Sequence, residues 1–110
     1  MDRLQKFLTM KKSRQFDEYL IESLKDPEEA RAYLNVALEE YEKDGDSEAF
    51  LLALRDVAEA RGGVSMLAEK TKLNRQNLYR TLSNQGNPRL DTLGNVLNAL
   101  NLRLSIEQRQ

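Results

Sequence analysis

Two short amphipathic segments lie almost end to end in the second half of the chain, and they constrain its fold more than any other feature. Residues 64–83 read "VSMLAEKTKLNRQNLYRTLS". Apolar residues recur at helical spacing in residues 64–71 and again in residues 75–83. Only residues 72–74 separate the two segments. The pattern therefore predicts two short helices joined by a connection of three residues.

Longer helical patterns precede this pair. In "DPEE", Asp26 is placed to cap a helix and Pro27 to open it. In "KDGDS", Gly45 predicts the end of that helix, and Asp46 or Ser47 predicts the cap of a second helix over residues 47–61. The first of these helices carries an apolar stripe formed by Ala30, Tyr33, Leu34, Ala37, Leu38 and Tyr41.

The two ends of the chain are less regular. We predict that residues 1–24 form an N-terminal arm that stays flexible until a partner covers it. A helical domain is predicted over residues 25–110. "LRLSI" at residues 102–106 alternates like a half-buried strand, which either packs on its own chain or pairs with its copy in a dimer. Residues 90–100 predict a last helix with an apolar face formed by Leu90, Leu93, Val96, Leu97 and Leu100.

Composition excludes several classes of function. A chain of 110 residues fits one domain. It has no histidine and no cysteine, which removes the commonest general base, the commonest metal ligand and all thiol chemistry. No apolar run of ~18 residues and no signal core occurs, so a cytoplasmic location is expected. We also expect no enzyme, cofactor or metal site, since solvation accounts for the acids near the predicted loop, Glu39, Glu40, Glu42, Asp44, Asp46 and Glu48.

The net charge of −1 hides an uneven distribution. Residues 1–14 hold one acid and five bases, for a net charge of +4. Residues 15–61 hold fourteen acids and five bases, for a net charge of −9. Residues 62–110 hold three acids and seven bases, for a net charge of +4. This asymmetry favours two partners of opposite charge over a merely soluble acidic surface.

The second short helix separates its apolar and polar residues on opposite faces. At ~100° per residue, Leu78 and Leu82 lie opposite Arg80, and the side of Arg80 carries only polar residues. No acid occurs in residues 72–89, as expected of a surface that approaches phosphates. Arginine matches guanine edges, and glutamine or asparagine matches adenine edges. We therefore predict base reading, rather than an ordinary solvated face, for Gln76, Asn77 and Arg80. Arg75, at the start of the helix, can reach bases or the backbone and is included among the predicted base-reading residues.

Contacts to the DNA backbone are expected around this helix. Asn74 is placed to cap it, and a helix N-terminus attracts phosphate through its free N–H groups. Tyr79 leaves two interpretations open, because its ring can simply line the core or can also carry its hydroxyl to the backbone. The predicted phosphate contacts are Ser65, Lys72, Asn74, Tyr79, Ser83, Asn84, Asn87 and Arg89.

Residues 64–83 resemble the helix-turn-helix of the Cro/C1-type (XRE) repressor family. Ala68 occupies the family's small position at the helix crossing, Leu73 the apolar position in the turn, and Leu78 the anchor of the second helix. With "NPRLDTLGNVLNALNLRL", the likeness covers residues 64–104. Lys72 departs from the family, which usually has glycine there because the turn is left-handed. The resemblance implies an all-α, five-helix Cro/C1-like domain, here with an added C-terminal strand, that binds operator DNA as a homodimer.

A wider likeness covers residues 16–106. "FDEYLIESLKDPEEARAYLNVALEE", "DSEAFLLALRDVAEARGG" and the helix-turn-helix together resemble addiction-module antidote proteins of HigA type. The resemblance implies an antitoxin of a type II module that neutralises a RelE/HigB-like mRNA-cleaving toxin and represses its own operon. The alternative is a stand-alone Cro/C1-type regulator without a toxin. The acidic residues 15–61 favour the antitoxin, because a ribonuclease that works on ribosome-bound RNA is expected to be basic.

Overall fold

The computed structural model describes residues 14–83 and 87–109. Within these residues every regular element is a helix, which confirms the all-α prediction. The helices are α1 (Arg14–Ser23), α2 (Pro27–Asp44), α3 (Glu48–Ala60), α4 (Gly63–Thr71), α5 (Arg75–Thr81) and α6 (Leu90–Ala99). Helix α1 lies inside the predicted N-terminal arm, and residues 1–13 of that arm lie outside the described part of the chain.

The ends of α2 and the start of α3 follow the predicted capping residues. Asp26 is extended, with φ −77° and ψ 122°, and its carboxylate accepts the N–H of Glu28 at 3.0 Å. Gly45 ends α2 in the left-handed conformation, with φ 74°. Ser47 occupies the N-cap position of α3 without a capping hydrogen bond, whereas the Asp46 carboxylate accepts the backbone N–H of the first residue of α3 at 2.9 Å. Asp46 therefore supplies the capping oxygen of α3.

Two adjacent glycines lie where α4 begins: Gly62 precedes the helix and Gly63 is its first residue. Gly62 and Gly63 have φ values of 119° and 89°, which an L side chain rarely adopts. A Cβ at Gly62 would also lie 3.2 Å from the side chain of Met66. Only Arg61 and Gly62 thus lie between the end of α3 and the start of α4.

Helix α3 is the centre of the packing. It contacts α1, α2 and α4, and α4 in turn contacts α5 and α6. Leu54 and Val57 of α3 are fully buried, as is Leu67 of α4, and Leu78 of α5 is 1% exposed. Burial of such a side chain contributes about 1.5–3 kcal/mol. One continuous apolar core thus fixes the two short helices against the longer ones.

The buried core differs from the sequence prediction in two ways: two predicted members are exposed, and two residues outside the predicted domain are buried. Leu90 and Tyr41 were predicted in apolar faces, but they are 73% and 42% exposed. Leu90 is the first residue of α6 and Tyr41 lies in the last turn of α2, so both project past the packed part of their helices. Conversely, Leu20 and Leu24 belong to the core cluster although they precede the predicted domain. Helix α1 supplies part of the core.

The predicted C-terminal strand does not occur within the described residues. Residues 102–109 form no helix and no strand pairing in their own chain. Helix α6 ends instead in a Schellman motif: Asn101 is left-handed with φ 62°, and the Leu102 N–H donates to the Leu97 carbonyl at 2.8 Å. Leu102 packs on the core, but Leu104 and Ile106 are 47% and 99% exposed. Pairing with a second copy stays a prediction.

Candidate nucleic-acid interface

A three-residue turn joins α4 to α5, and side chains hold it at both ends. The Thr71 hydroxyl donates to the Leu67 carbonyl at 2.6 Å and accepts the Leu73 N–H at 3.3 Å. The Asn95 side chain of α6 donates to the Thr71 carbonyl at 3.3 Å. Lys72 is left-handed, with φ 62° and ψ 21°, as the resemblance implies for this position. The orientation of α5 relative to α4 and α6 is therefore held by specific hydrogen bonds as well as by packing.

Asn74 caps α5 as predicted. Its backbone is extended, with φ −69° and ψ 134°, and its side-chain oxygen accepts the N–H groups of Gln76 and Asn77 at 2.8 and 3.2 Å. These two N–H groups are thus already bonded, and they are not open to a phosphate as the sequence analysis assumed. Attraction of an anion to this end of α5 must come from side chains and from the helix dipole.

The polar face of α5 is accessible and its apolar face is not. Leu78 and Leu82 are each 1% exposed, and they anchor the helix in the core. Helix α5 ends at Thr81. Ser83 therefore lies beyond the helix, although the sequence pattern predicted a helix over residues 75–83. Every predicted base-reading side chain is exposed: Arg75, Gln76, Asn77 and Arg80. Helix α5 therefore exposes arginine and amide groups and no carboxylate of its own.

The predicted phosphate contacts fall into four groups. Ser83 is half-buried, and its hydroxyl donates to the Arg80 carbonyl at 2.7 Å. Asn84 lies outside the described residues. Arg89 lies beside Asp91, with 3.5 Å between Nε and Oδ1, and both side chains are largely exposed, so this pair is easily broken by an external anion. The remaining candidates are exposed: Ser65, Lys72, Asn74, Tyr79 and Asn87.

Tyr79 brings an unpredicted arginine to this surface. Its ring is 38% exposed, and the guanidinium carbons of Arg75 and Arg55 each lie 5.6 Å from the ring centroid. Arg55 belongs to α3, where it is the one basic residue among several acids. In the sequence Arg55 lies within the acidic residues 15–61, and no local pattern connects it with Tyr79. Only the packing of α3 near α5 reveals it.

Two acids at the α2–α3 connection accept hydrogen bonds from backbone N–H groups. The Asp46 N–H donates to the Asp44 carboxylate at 2.9 Å, and Asp46 in turn caps α3. Glu40 differs from them, since it is only 7% exposed and its Oε1 accepts no hydrogen bond. Lys43 Nζ lies 3.8 Å from that oxygen, which is close enough for attraction but too long for a hydrogen bond. Among residues 14–83 and 87–109, no group of acids is arranged to hold a metal ion.

Among the described residues, no helix is both long enough and apolar enough to cross a membrane.

Comparison with known proteins identifies the family. Residues 12–108 match the family described as probable addiction module antidote protein. An uncharacterized protein of Haemophilus influenzae is 39% identical over 87 residues, which cover 79% of this chain and 84% of that protein. No solved structure gives a significant match. The chain therefore belongs to the family of probable addiction module antidote proteins.

Proposed function

We propose that the protein is the antitoxin of a type II toxin–antitoxin module, which neutralises a RelE/HigB-like mRNA-cleaving toxin and represses its own operon. The family match over residues 12–108 carries the antitoxin role. The exposed, acid-free face of α5 carries the DNA-binding role. The protein has no catalytic step in this proposal, and it works in the cytoplasm, where operator and ribosome-bound toxin are both present.

The DNA-binding role assigns α4 and α5 to a helix-turn-helix, with α5 in the major groove. Arg75 and Arg80 would read guanine, and Gln76 and Asn77 would read adenine. One α5 reads too few bases for an operator, so two copies are needed, on half-sites about one helical turn apart. The exposed Leu104 and Ile106 are candidates for the contact between the copies.

Base reading is tested by binding to the DNA upstream of the gene and to a random duplex at one salt concentration. Arg80→Ala should weaken operator binding by about 1–3 kcal/mol and relax specificity, with less effect on random DNA. Arg31→Gln is a matched control, because Arg31 is an exposed arginine on α2 that pairs with Glu28. Unchanged affinity of Arg80→Ala for both duplexes would exclude the base-reading role.

The toxin is proposed to bind residues 15–61 or the basic residues before them. The net charge of −9 in residues 15–61 complements the basic surface expected of a ribosome-dependent ribonuclease. This arrangement leaves α5 free, so one complex can hold toxin and operator together. Hydrogen exchange of the complex should show protection in α2 and α3. Protection confined to residues 64–104 would contradict the assignment.

The alternative is a Cro/C1-type regulator with no toxin. The same α5 surface supports that function equally well, so DNA binding does not discriminate between them. A gene for a small basic protein beside this one, toxic when expressed alone and harmless with this protein, favours the antitoxin. The antidote family match is the observation that places the antitoxin first.

A further inference from the structure

The ring of Tyr79 contacts arginines from two helices, α3 and α5, that are not adjacent in the chain. Arg75 precedes Tyr79 by one turn of α5, and Arg55 comes from α3. Each guanidinium carbon lies 5.6 Å from the ring centroid, within the range of a cation–π contact. The guanidinium carbons of Arg55 and Arg75 are therefore no further apart than the sum of their two distances to the ring centroid. The ring is 38% exposed, so the pair lies at the protein surface beside the α5 face.

The charges around this ring do not balance. Two guanidinium groups of like charge lie over one aromatic ring, and Arg55 Nε lies 3.8 Å from Glu59 Oε1. That ion pair is half-exposed, and such pairs are weak and easily screened. Arg75 makes no ion pair with any carboxylate among the described residues. A bound anion would relieve the repulsion between the two arginines.

Phosphate is the anion that suits this pair. A guanidinium presents a planar fork of donors that matches phosphate oxygens, and it stacks on aromatic rings while doing so. The ring reduces the freedom of both side chains before binding, so less entropy is lost when they contact the ligand. Arg75 is the first residue of α5, so the pair lies near Gln76, Asn77 and Arg80, where a DNA backbone must pass if α5 enters the groove.

We propose that Tyr79 is a positioning residue that holds Arg55 and Arg75 together as a phosphate-binding pair, so that α3 contributes a DNA backbone contact from outside the α4–α5 unit. The inference rests on the proposed DNA-binding function. It adds Arg55 to the interface, assigns Arg75 to the DNA backbone instead of a guanine edge, and gives the Tyr79 ring, rather than its hydroxyl, the main role.

The test measures the affinity for labelled operator and random duplexes over a series of salt concentrations. Each phosphate contact contributes about 0.9 to the slope of log affinity against log salt. Arg55→Gln should make the slope shallower by about that amount for both duplexes and weaken binding several-fold, without changing the preference for operator. Arg55→Lys, which keeps the charge, should retain most of the slope. Arg31→Gln should leave it unchanged.

Substitutions at the ring separate positioning from simple packing. Tyr79→Phe keeps the ring and should bind DNA like the wild type, whereas Tyr79→Leu should lose at least as much slope as Arg55→Gln. In the Tyr79→Leu background, Arg55→Gln should have a much smaller effect than in the wild type. Glu59→Gln, which removes the acid that competes for Arg55, should tighten binding at low salt. Thermal denaturation of each variant shows that these changes are not losses of folding.

Two results would overturn the inference. One is an unchanged salt slope for Arg55→Gln in a variant that is folded. The other is a Tyr79→Phe variant that loses as much affinity as Tyr79→Leu, because the hydroxyl would then be the contacting group. Failure of the wild-type protein to bind either duplex overturns the proposed DNA-binding function itself, and is thereby distinguishable from failure of the Arg55 contact.

Discussion

Lys72 should affect stability and DNA affinity in opposite directions. It is left-handed, with φ 62° and ψ 21°, which costs an L residue about 1–2 kcal/mol. Glycine removes this strain, but its greater freedom in the unfolded chain offsets about 0.5–1 kcal/mol. The difference is about 0–1.5 kcal/mol, with a midpoint of about 0.75 kcal/mol. Lys72→Gly should therefore raise the free energy of unfolding by up to about 1.5 kcal/mol, equivalent to a rise in Tm of about 6 °C at most.

The same substitution removes an exposed positive charge beside α5. If Lys72 contacts a phosphate, Lys72→Gly should make the salt slope of DNA binding shallower by about 0.9. Lys72→Gln is the matched control, since it loses the charge but keeps the strained backbone. It should match Lys72→Gly in salt slope while its stability stays within about 0.5 kcal/mol of the wild type.

Urea denaturation and fluorescence anisotropy measure the two effects separately. Asn101→Gly provides a second comparison, because Asn101 has the same φ of 62° but asparagine tolerates this conformation better than lysine. Its gain in stability should be smaller than that of Lys72→Gly. The reasoning is refuted if Lys72→Gly is no more stable than Lys72→Gln, or if neither variant changes the salt slope.

Four further predictions concern stability and assembly. Asn74→Ala should lower the free energy of unfolding by about 1 kcal/mol, because it leaves two α5 N–H groups uncapped; urea denaturation should show it. Leu78→Ala should cost about 2–5 kcal/mol in the same assay, whereas Leu90→Ala, at a site 73% exposed, should cost less than about 0.5 kcal/mol. Glu40→Leu should stabilise the free protein, since the buried Oε1 accepts no hydrogen bond, and a lower Tm would contradict this. Truncation after Leu100 should give a mainly monomeric, still helical protein in sedimentation, and a persistent dimer at micromolar concentration would place the interface in the helices.

Structural features that depend on a few neighbouring residues were predicted from the sequence. Asp26, Gly45 and Asn74 occupy the capping positions that their residue types predict, because capping depends on a few adjacent backbone groups. The three-residue connection and the buried Leu78 were predicted for the same reason: helical spacing alone determines which side chains share a face.

Structural features that depend on packing between distant segments of the chain were not predicted from the sequence. Leu90 continues the apolar spacing of α6, yet it projects beyond the neighbouring helices. Nothing in the acidic surroundings of Arg55 shows that it reaches Tyr79, because that contact depends on how α3 packs near α5. Helix α1 was not predicted as part of the domain, and its burial through Leu20 becomes visible only against α3.

The most direct test of the antitoxin role is purification of the tagged protein from cells that carry its native operon. We expect a second, small and basic protein to copurify in a fixed ratio, and that protein should stop growth when expressed alone. The complex should still bind the upstream DNA, with the Arg80→Ala complex weakened and the toxin retained. Recovery of the tagged protein without any partner, together with a neighbouring gene that is harmless when expressed alone, would contradict the antitoxin role.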